Sequence, residues 1–267
     1  MWYIAAVRGR MSKAAAWTMF LAVAGMAADV RAQDRWMAPF GGTWSATVAV
    51  LSDYSFRGIS LTDRQPAVQA GLGYDLPLVP DRFHLYLEAW GANVSFSPDF
   101  STELTASASA IFYGFDRRLA VELSFSRYSY LEAPPELGAN YNEFGLSASY
   151  DFGVVRLGGN VNFSPNSYGD AGNAWYKQVE LAAPLRFIRL DDVRVTAFAT
   201  LGNFQGASYA EAGLSNDSYW DWEIGVRARV HGVDLSLSWV DTNLGYADCG
   251  NNLNCDGRLI AKMSKTF

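Results

Sequence analysis

Charged side chains that could act on a passing solute recur at alternate positions within apolar stretches of this sequence. In RLAVELSFS, residues 118–126, Glu122 stands between Val121 and Leu123. The residues placed in this way are Asp53, Arg57, Asp75, Glu88, Glu103, Glu122, Glu143, Asp151, Arg156, Glu180, Arg194, Asp221, Glu223, Arg227 and Arg229. Lined along a pore, such groups select ions by charge, and arginines bind anions bidentately. Acids outnumber bases in this set, which predicts a weak preference for cations; mutual pairing that fills the interior is the alternative.

Enzymatic and metal chemistry have little basis in the sequence. The two histidines, His84 and His231, stand beside the short connections PDR and HG, whereas a Ser/His pair must lie within hydrogen-bonding distance. Asp221 and Glu223 could act as an acid–base pair, but their spacing is that of lining residues. The Gly/Asn-rich loops lack the spacing of a calcium-binding loop. We therefore expect no catalytic residues, no metal and no cofactor.

The elements that must position the charged residues are β-strands, because apolar and polar residues alternate with a period of two. Twelve such segments, separated by turn residues, follow one another: 43–56, 66–76, 83–96, 103–114, 118–126, 142–152, 155–163, 174–183, 193–203, 218–230, 233–241 and 258–267. Short connections such as HG alternate with longer ones rich in Gly, Asn, Ser and Pro. The sequence predicts an all-β fold, an antiparallel up-and-down barrel of about twelve strands.

Two kinds of barrel compete for this pattern. A soluble barrel buries its apolar face, whereas a transmembrane barrel turns it toward lipid and keeps polar residues in the lumen. The non-apolar face here is rich in Gly, Ser and Ala, which suits a crowded lumen. Aromatic residues at strand ends are typical of a membrane girdle: Trp44, Phe56, Phe112, Phe152, Trp220 and Trp222. We expect an outer-membrane β-barrel over residues 43–267.

The last residues, RLIAKMSKTF, alternate in the same way and end on Phe267. In a closed barrel this strand pairs with the first strand, since lipid offers an open edge no hydrogen-bond partners. Phe267 then lies in the girdle at the short-turn end. A terminal aromatic residue also resembles the signal that the barrel-assembly machinery of the outer membrane reads, so Phe267 is the predicted assembly signal.

The N-terminal residues predict export. Arg8, Arg10 and Lys13 precede the apolar run AAAWTMFLAVAGMAA, and VRAQD follows with small residues suited to cleavage after Ala32. Residues 1–32 are the predicted signal peptide, with Met1 or Met11 as the start, and 33–42 a periplasmic segment. The predicted location is the bacterial outer membrane.

Charge and cysteine content narrow the partners. Cleavage would remove four of 21 basic residues and one of 27 acidic residues, leaving a net charge of -9. Such a chain is unsuited to nucleic acid, whose phosphates require a basic face. Cys249 and Cys255, in DCGNNLNCD, would lie in an oxidising compartment, which favours a disulfide over a metal site without histidine.

The stretch SDYSFRGISLTDRQPAVQAGLGYDL, residues 52–76, resembles the opening of the TorF family, proteobacterial chains assigned as outer-membrane porins. The shared residues are Ser52, Asp53, Tyr54, Phe56, Arg57, Gly58, Ile59, Ser60, Thr62, Asp63, Pro66, Ala67 and Gln69. LYLEAWGANVSF and KMSKTF are similar to the family's third strand and its end, and the middle of the chain matches only in pattern. The resemblance implies a signal peptide, an outer-membrane barrel and a pore, with no established substrate.

Two functions remain open at this point. A channel for passive diffusion of small hydrophilic solutes or ions would use the charged lining. A closed structural barrel or adhesin, with a plugged lumen and no transport, would use the outer loops, because a barrel of this size is narrow and inward-folded loops could shut it. Lipid, the assembly machinery and small solutes are the expected partners; the sequence leaves the oligomeric state open.

Overall fold

The protein is described from a computed structural model that covers residues 39–188, 193–206 and 217–267. The predicted signal peptide, residues 1–32, lies outside these residues, and only 39–42 of the predicted periplasmic segment are described. Both stay predictions.

Twelve long strands form one closed antiparallel barrel, in which every strand pairs with its neighbours and the first pairs with the last. They are β1 (Thr43–Leu51), β4 (Ala67–Val79), β5 (Phe83–Asn93), β6 (Thr102–Gly114), β7 (Leu119–Leu131), β8 (Tyr141–Asp151), β9 (Arg156–Ser164), β10 (Ala174–Pro184), β11 (Arg194–Gly206), β12 (Ser218–Val230), β13 (Val233–Thr242) and β14 (Arg258–Thr266). A small hairpin of β2 (Ser55–Phe56) and β3 (Ile59–Ser60) follows β1. The predicted fold class and strand number are confirmed.

The alternation of side chains explains why these segments are strands. Along β7 and β12, Leu123 and Ile224 point outward and are each 61% exposed, whereas Glu122 and Glu223 point into the lumen. An outward apolar face and an inward polar face are the arrangement of a transmembrane barrel rather than of a soluble one. No helix in the described ranges is long and apolar enough to cross a membrane.

The connections divide into two ends of the barrel. At the end called here the turn end, β-strands are joined by 80–82, 115–118, 152–155, 185–193 and 231–232, and the barrel begins and finishes there. At the loop end, the connections are 52–66, 94–101, 132–140, 165–173, 207–217 and 243–257. Among the described residues, three short 3-10 turns lie outside the strands, at Pro39–Gly41, Pro135–Leu137 and Tyr168–Asp170.

The structure differs from the sequence prediction at the first strand. The predicted segment 43–56 continues alternation through Phe56, but β1 ends at Leu51 and the chain then turns into the lumen. Phe56 therefore does not belong to the outer girdle; its ring packs edge-on against Tyr128 inside the barrel, at 5.9 Å between centroids. Asp53 forms an ion pair with Arg258 of β14, which holds the turned chain inward.

The hydrophobic core lies inside the barrel at the loop end. One cluster joins Leu51, Tyr54 and Leu61 to inward residues of β5–β8, including Tyr130 and Tyr141. A second cluster surrounds the far side of the hairpin, where Ile59 packs against side chains that include Tyr176, Phe204 and Cys255. The loop end of the lumen is thus largely filled by the hairpin and by these apolar and aromatic side chains.

Candidate functional site: the lumen and its inserted hairpin

The connection 52–66 crosses the lumen from one wall to the other. Tyr54 Oη donates a hydrogen bond to Glu103 Oε1 of β6 at 3.3 Å. Arg57 reaches Glu143 of β8, and Gly58 lies against Thr242 of β13. Since β8 and β13 lie on well-separated parts of the closed barrel, the hairpin spans the lumen rather than lining one side of it.

The base of this inserted hairpin is fastened by Asp53, which is buried. Its carboxylate accepts hydrogen bonds from Ser60 Oγ at 2.5 Å and Thr62 Oγ1 at 2.8 Å, and pairs with the Arg258 guanidinium. Arg258 Nη1 also donates to the carbonyl oxygen of Gly58 at 2.9 Å. The first and last parts of the barrel thereby hold both arms of the hairpin through a buried network.

The tip of the hairpin is fastened by Arg57. Its Nη2 lies 2.5 Å from Glu143 Oε2, and the two side chains are 10% and 8% exposed. The guanidinium carbon lies 4.4 Å from the ring centroid of Tyr176 and 4.7 Å from that of Phe56, in the range of cation–π contact. Burial, the largest single influence, would lower the pKa of Arg57, but the interactions with Glu143, Tyr141 and Tyr128 together exceed it, so the pKa is raised. The Arg57 guanidinium therefore stays protonated.

Gly58 follows Arg57 and has a φ of 84°, in the left-handed region that favours glycine. A Cβ at this position would lie 2.5 Å from Thr242 Cγ2 and 2.7 Å from Asp221 Cβ. Both the turn geometry and the close approach to the wall therefore require glycine.

The residues predicted from sequence to line the lumen fall into three groups. At the loop end, Asp53 and Arg57 belong to the inserted hairpin, while Glu103, Glu143 and Asp221 are buried in the wall beside it. Toward the turn end, inward positions that stay partly open belong to Glu88, Glu122, Glu180, Arg194, Glu223, Arg227 and Arg229. Near the turn-end rim lie Asp75, which bonds His84 Nδ1 at 2.9 Å, and Asp151 and Arg156, which are exposed.

Charges in the open part of the lumen are divided between two walls. Glu88 and Glu122 project from β5 and β7. Opposite them in the closed order, a cavity of about 430 Å³ is lined by Arg194, Thr196, Phe198, Glu223, Arg227, Ala228, Arg229, Asp234, Leu235, Ser236, Lys262 and Ser264. A solute entering from the turn end would meet an acidic wall facing a mixed, more basic one.

Sequence reasoning missed several inward residues. Asp234, Arg258 and Lys262 lie on the polar side of β13 and β14, and the alternation that selected Glu122 also places them inward. The tyrosines around the hairpin could not be found in the same way. Tyr128 and Tyr141, stacked at 4.6 Å between centroids, look like girdle residues until the hairpin occupies the lumen.

The last loop and the C-terminal residue are both held in place by specific contacts. Cys249 and Cys255 form a disulfide with 6.0 Å between Cα atoms, in the loop that packs beside the hairpin. Phe267 pairs with β1: its N–H donates to the carbonyl oxygen of Ala46 at 2.8 Å, and its own carbonyl accepts from Ala46 N–H at 3.3 Å. The Phe267 side chain is 39% exposed, and Lys265 Nζ lies 5.0 Å from its ring centroid.

A family model described as a bacterial protein of unknown function, Gcw_chp, matches residues 37–267, the whole barrel. The chain belongs to this family. The matched residues include the inserted hairpin and both walls of the lumen. No curated protein matches the chain.

The solved structures that this chain resembles are distant from it in sequence. A chain from a study of in-meso crystallization of membrane proteins has a TM-score of 0.51 at 9% identity, covering 84% of this chain and 83% of its own. An outer membrane channel from Pseudomonas putida F1 has a TM-score of 0.47 at 12% identity, covering 90% and 100%. LpxR from Salmonella typhimurium has a TM-score of 0.46 at 12% identity, covering 84% and 99%. At 9% identity, the first of these structures shows the barrel fold alone.

Proposed function

We propose that the protein is an outer-membrane channel for passive diffusion of small hydrophilic solutes or ions, narrowed at its loop end by the inserted hairpin. The observation that carries the proposal is the lumen itself. Its turn-end half is polar, charged and partly open, whereas the outward face of the barrel is apolar. Filling a barrel for structural reasons alone requires neither the open cavity nor the segregated charges. The resemblance of residues 52–76 to the TorF family supports the same function.

One observation favours a second candidate, a closed barrel without transport. The hairpin is packed on both sides by aromatic residues and fastened by two buried ion pairs, at Asp53 and Arg57. A constriction that never opened would leave the outer loops as the functional surface. The two candidates differ in whether the hairpin leaves its seat, which is measurable.

The experiment that separates these candidates is single-channel recording of the refolded mature protein in a planar lipid bilayer. Stable unit conductance steps are expected for a channel, with short open periods that reflect release of the hairpin. Absence of current from a barrel whose folding is verified by circular dichroism, both in the wild type and in a variant lacking residues 55–60, would favour the closed structural barrel.

Neutralising the acidic wall should reduce cation preference. Glu88 and Glu122 project into the open lumen, and a unit charge at about 4 Å in water is worth about 1 kcal/mol, roughly fivefold in local ion concentration. The double variant E88Q/E122Q is expected to lower the cation-to-anion permeability ratio by up to about fivefold, measured as reversal potential under a KCl gradient. The matched control is E132Q/E136Q, which removes two exposed charges from the connection 132–140 at the loop end. Equal reversal potentials in both variants would contradict this assignment.

Phe267 is proposed to act in assembly rather than in stability. Its backbone pairs with β1, and those hydrogen bonds do not need the ring. The variant F267A should therefore refold normally in detergent but accumulate severalfold less in the outer membrane of expressing cells, measured by immunoblotting of membrane fractions. F115A, at an aromatic side chain 71% exposed at the same end, is the control. If F267A reaches the outer membrane at wild-type levels, Phe267 is not an assembly signal.

A further inference from the structure

The cavity in the turn-end half of the lumen has a composition that the channel alone does not require. Of its lining side chains, Arg194, Arg227, Arg229 and Lys262 are basic, and Glu223 and Asp234 are acidic. Its volume of about 430 Å³ lies in the range of small-molecule sites, roughly 300–1,000 Å³. The question is why four basic groups should be gathered there.

The strand register sets two arginines directly against each other. Arg194 of β11 is the partner of Arg229 of β12, and both side chains point inward. Like charges placed opposite each other destabilise an antiparallel pair, and pairing with an anion relieves the repulsion. The arrangement is therefore costly when the site is empty.

In the neighbouring row of the sheet, two further basic residues flank a small residue. Arg227 of β12 and Lys262 of β14 each lie opposite Ser236 of β13, one on either side. The small serine leaves room between a guanidinium and an ammonium group, and its hydroxyl faces the same cavity. Four basic side chains from three strands thus line the same cavity.

Asp234 and Glu180 pair with two of the arginines but leave most of their N–H donors free. Arg229 Nε lies 3.8 Å from Asp234 Oδ1, and Arg227 Nη2 lies 3.3 Å from Glu180 Oε1. All four of these side chains are at least 40% exposed, and exposed ion pairs contribute only about 0–1 kcal/mol. Each guanidinium carries five N–H donors, so most remain available.

Among the described residues, the charges around the cavity leave a basic excess. Within the described part of the chain, neither Arg194 nor Lys262 forms an ion pair. Counting Glu180, Glu223 and Asp234 against the four basic residues still leaves one positive charge in excess. This wall is a local exception within a lumen in which acids outnumber bases.

We propose that this cavity is a binding site for small organic anions bearing carboxylate or phosphate groups. Planar guanidinium groups match both kinds of oxyanion through paired hydrogen bonds, and Lys262 adds a compact charge on the opposite side of Ser236. The proposal rests on the proposed function, because the solute must enter the lumen. It assigns the chemistry of a solute that the channel would hold during passage.

The test is equilibrium dialysis of radiolabelled succinate and, separately, inorganic phosphate against the refolded barrel in detergent micelles at low salt. Saturable binding of either anion is expected, and the preferred one distinguishes carboxylate from phosphate recognition. The variant R194Q/R229Q should weaken binding at least about tenfold, which corresponds to about 1.4 kcal/mol. The control is E132Q/E136Q, which removes two exposed charges from the connection 132–140 at the loop end and should bind as tightly as the wild type.

Folding and transport are controlled separately. If R194Q/R229Q does not refold, K262M tests the same cavity and should also weaken binding. The proposal is overturned if the wild-type barrel binds neither anion saturably, or if a folded variant at these positions binds with unchanged affinity. Anion binding by a barrel that passes no current would support this binding site and contradict the proposed channel function. Current through a barrel that binds neither anion would support the channel function and contradict this binding site.

Discussion

Replacing Arg57 with methionine is expected to open the lumen. The substitution leaves the Glu143 carboxylate buried without its partner, and breaking a buried ion pair from one side costs about 3–5 kcal/mol. If the hairpin meets that cost by leaving its seat, a shift of about 3 kcal/mol changes the ratio of open to closed states roughly a hundredfold. Single-channel recording should show the variant open for most of the time.

Two comparisons make this result specific. R117M removes an arginine whose pair with Asp81, at 3.3 Å, is exposed at the turn end, so its open probability should match that of the wild type. In R57M/E143L both charges are gone, and apolar replacement of a buried pair is often neutral, so the hairpin should close again in part. If R57M gates like the wild type while folded, Arg57 does not hold the constriction.

The barrel could be predicted from sequence because its cause is local. In the middle of a strand such as β7 the outward residues are apolar and the inward ones fit the lumen, so the alternation around Leu123 and Glu122 appears in the sequence itself. The same alternation marks Arg258 and Lys262 on β14. The alternation predicts which face of the sheet a residue lies on, but not which residue it contacts.

The inserted hairpin could not be predicted because its causes are distant in the chain. Residues 52–56 continue the alternation of β1, so the sequence favours a longer strand there. The chain turns inward through Asp53 and Arg258, which are 205 residues apart, and through Arg57 and Glu143, which are 86 apart. Glu143 is on the predicted inward side, but its contact with a loop rather than with water depends on this tertiary arrangement.

The inward turn also makes a prediction about a single methyl group. G58A is expected to unseat the hairpin, because the added Cβ would lie 2.5 Å from Thr242 Cγ2 and 2.7 Å from Asp221 Cβ. Overpacking of this kind costs about 1–3 kcal/mol, in addition to the strain of a positive φ. Hydrogen exchange of residues 52–62, followed by mass spectrometry, should accelerate roughly tenfold to a hundredfold or more.

G153A separates the steric cost from the backbone strain. Gly153 has the same φ of 84° as Gly58, but a Cβ there would meet nothing within 4 Å. Its substitution should therefore cost only the strain of the left-handed conformation, about 1 kcal/mol, and leave exchange in residues 52–62 unchanged. Similar exchange in G58A and the wild type would mean that the hairpin is not held against β12 and β13. Faster hydrogen exchange in G58A but not in G153A, together with a higher open probability of G58A in the bilayer, would show that close packing at Gly58 keeps the lumen closed.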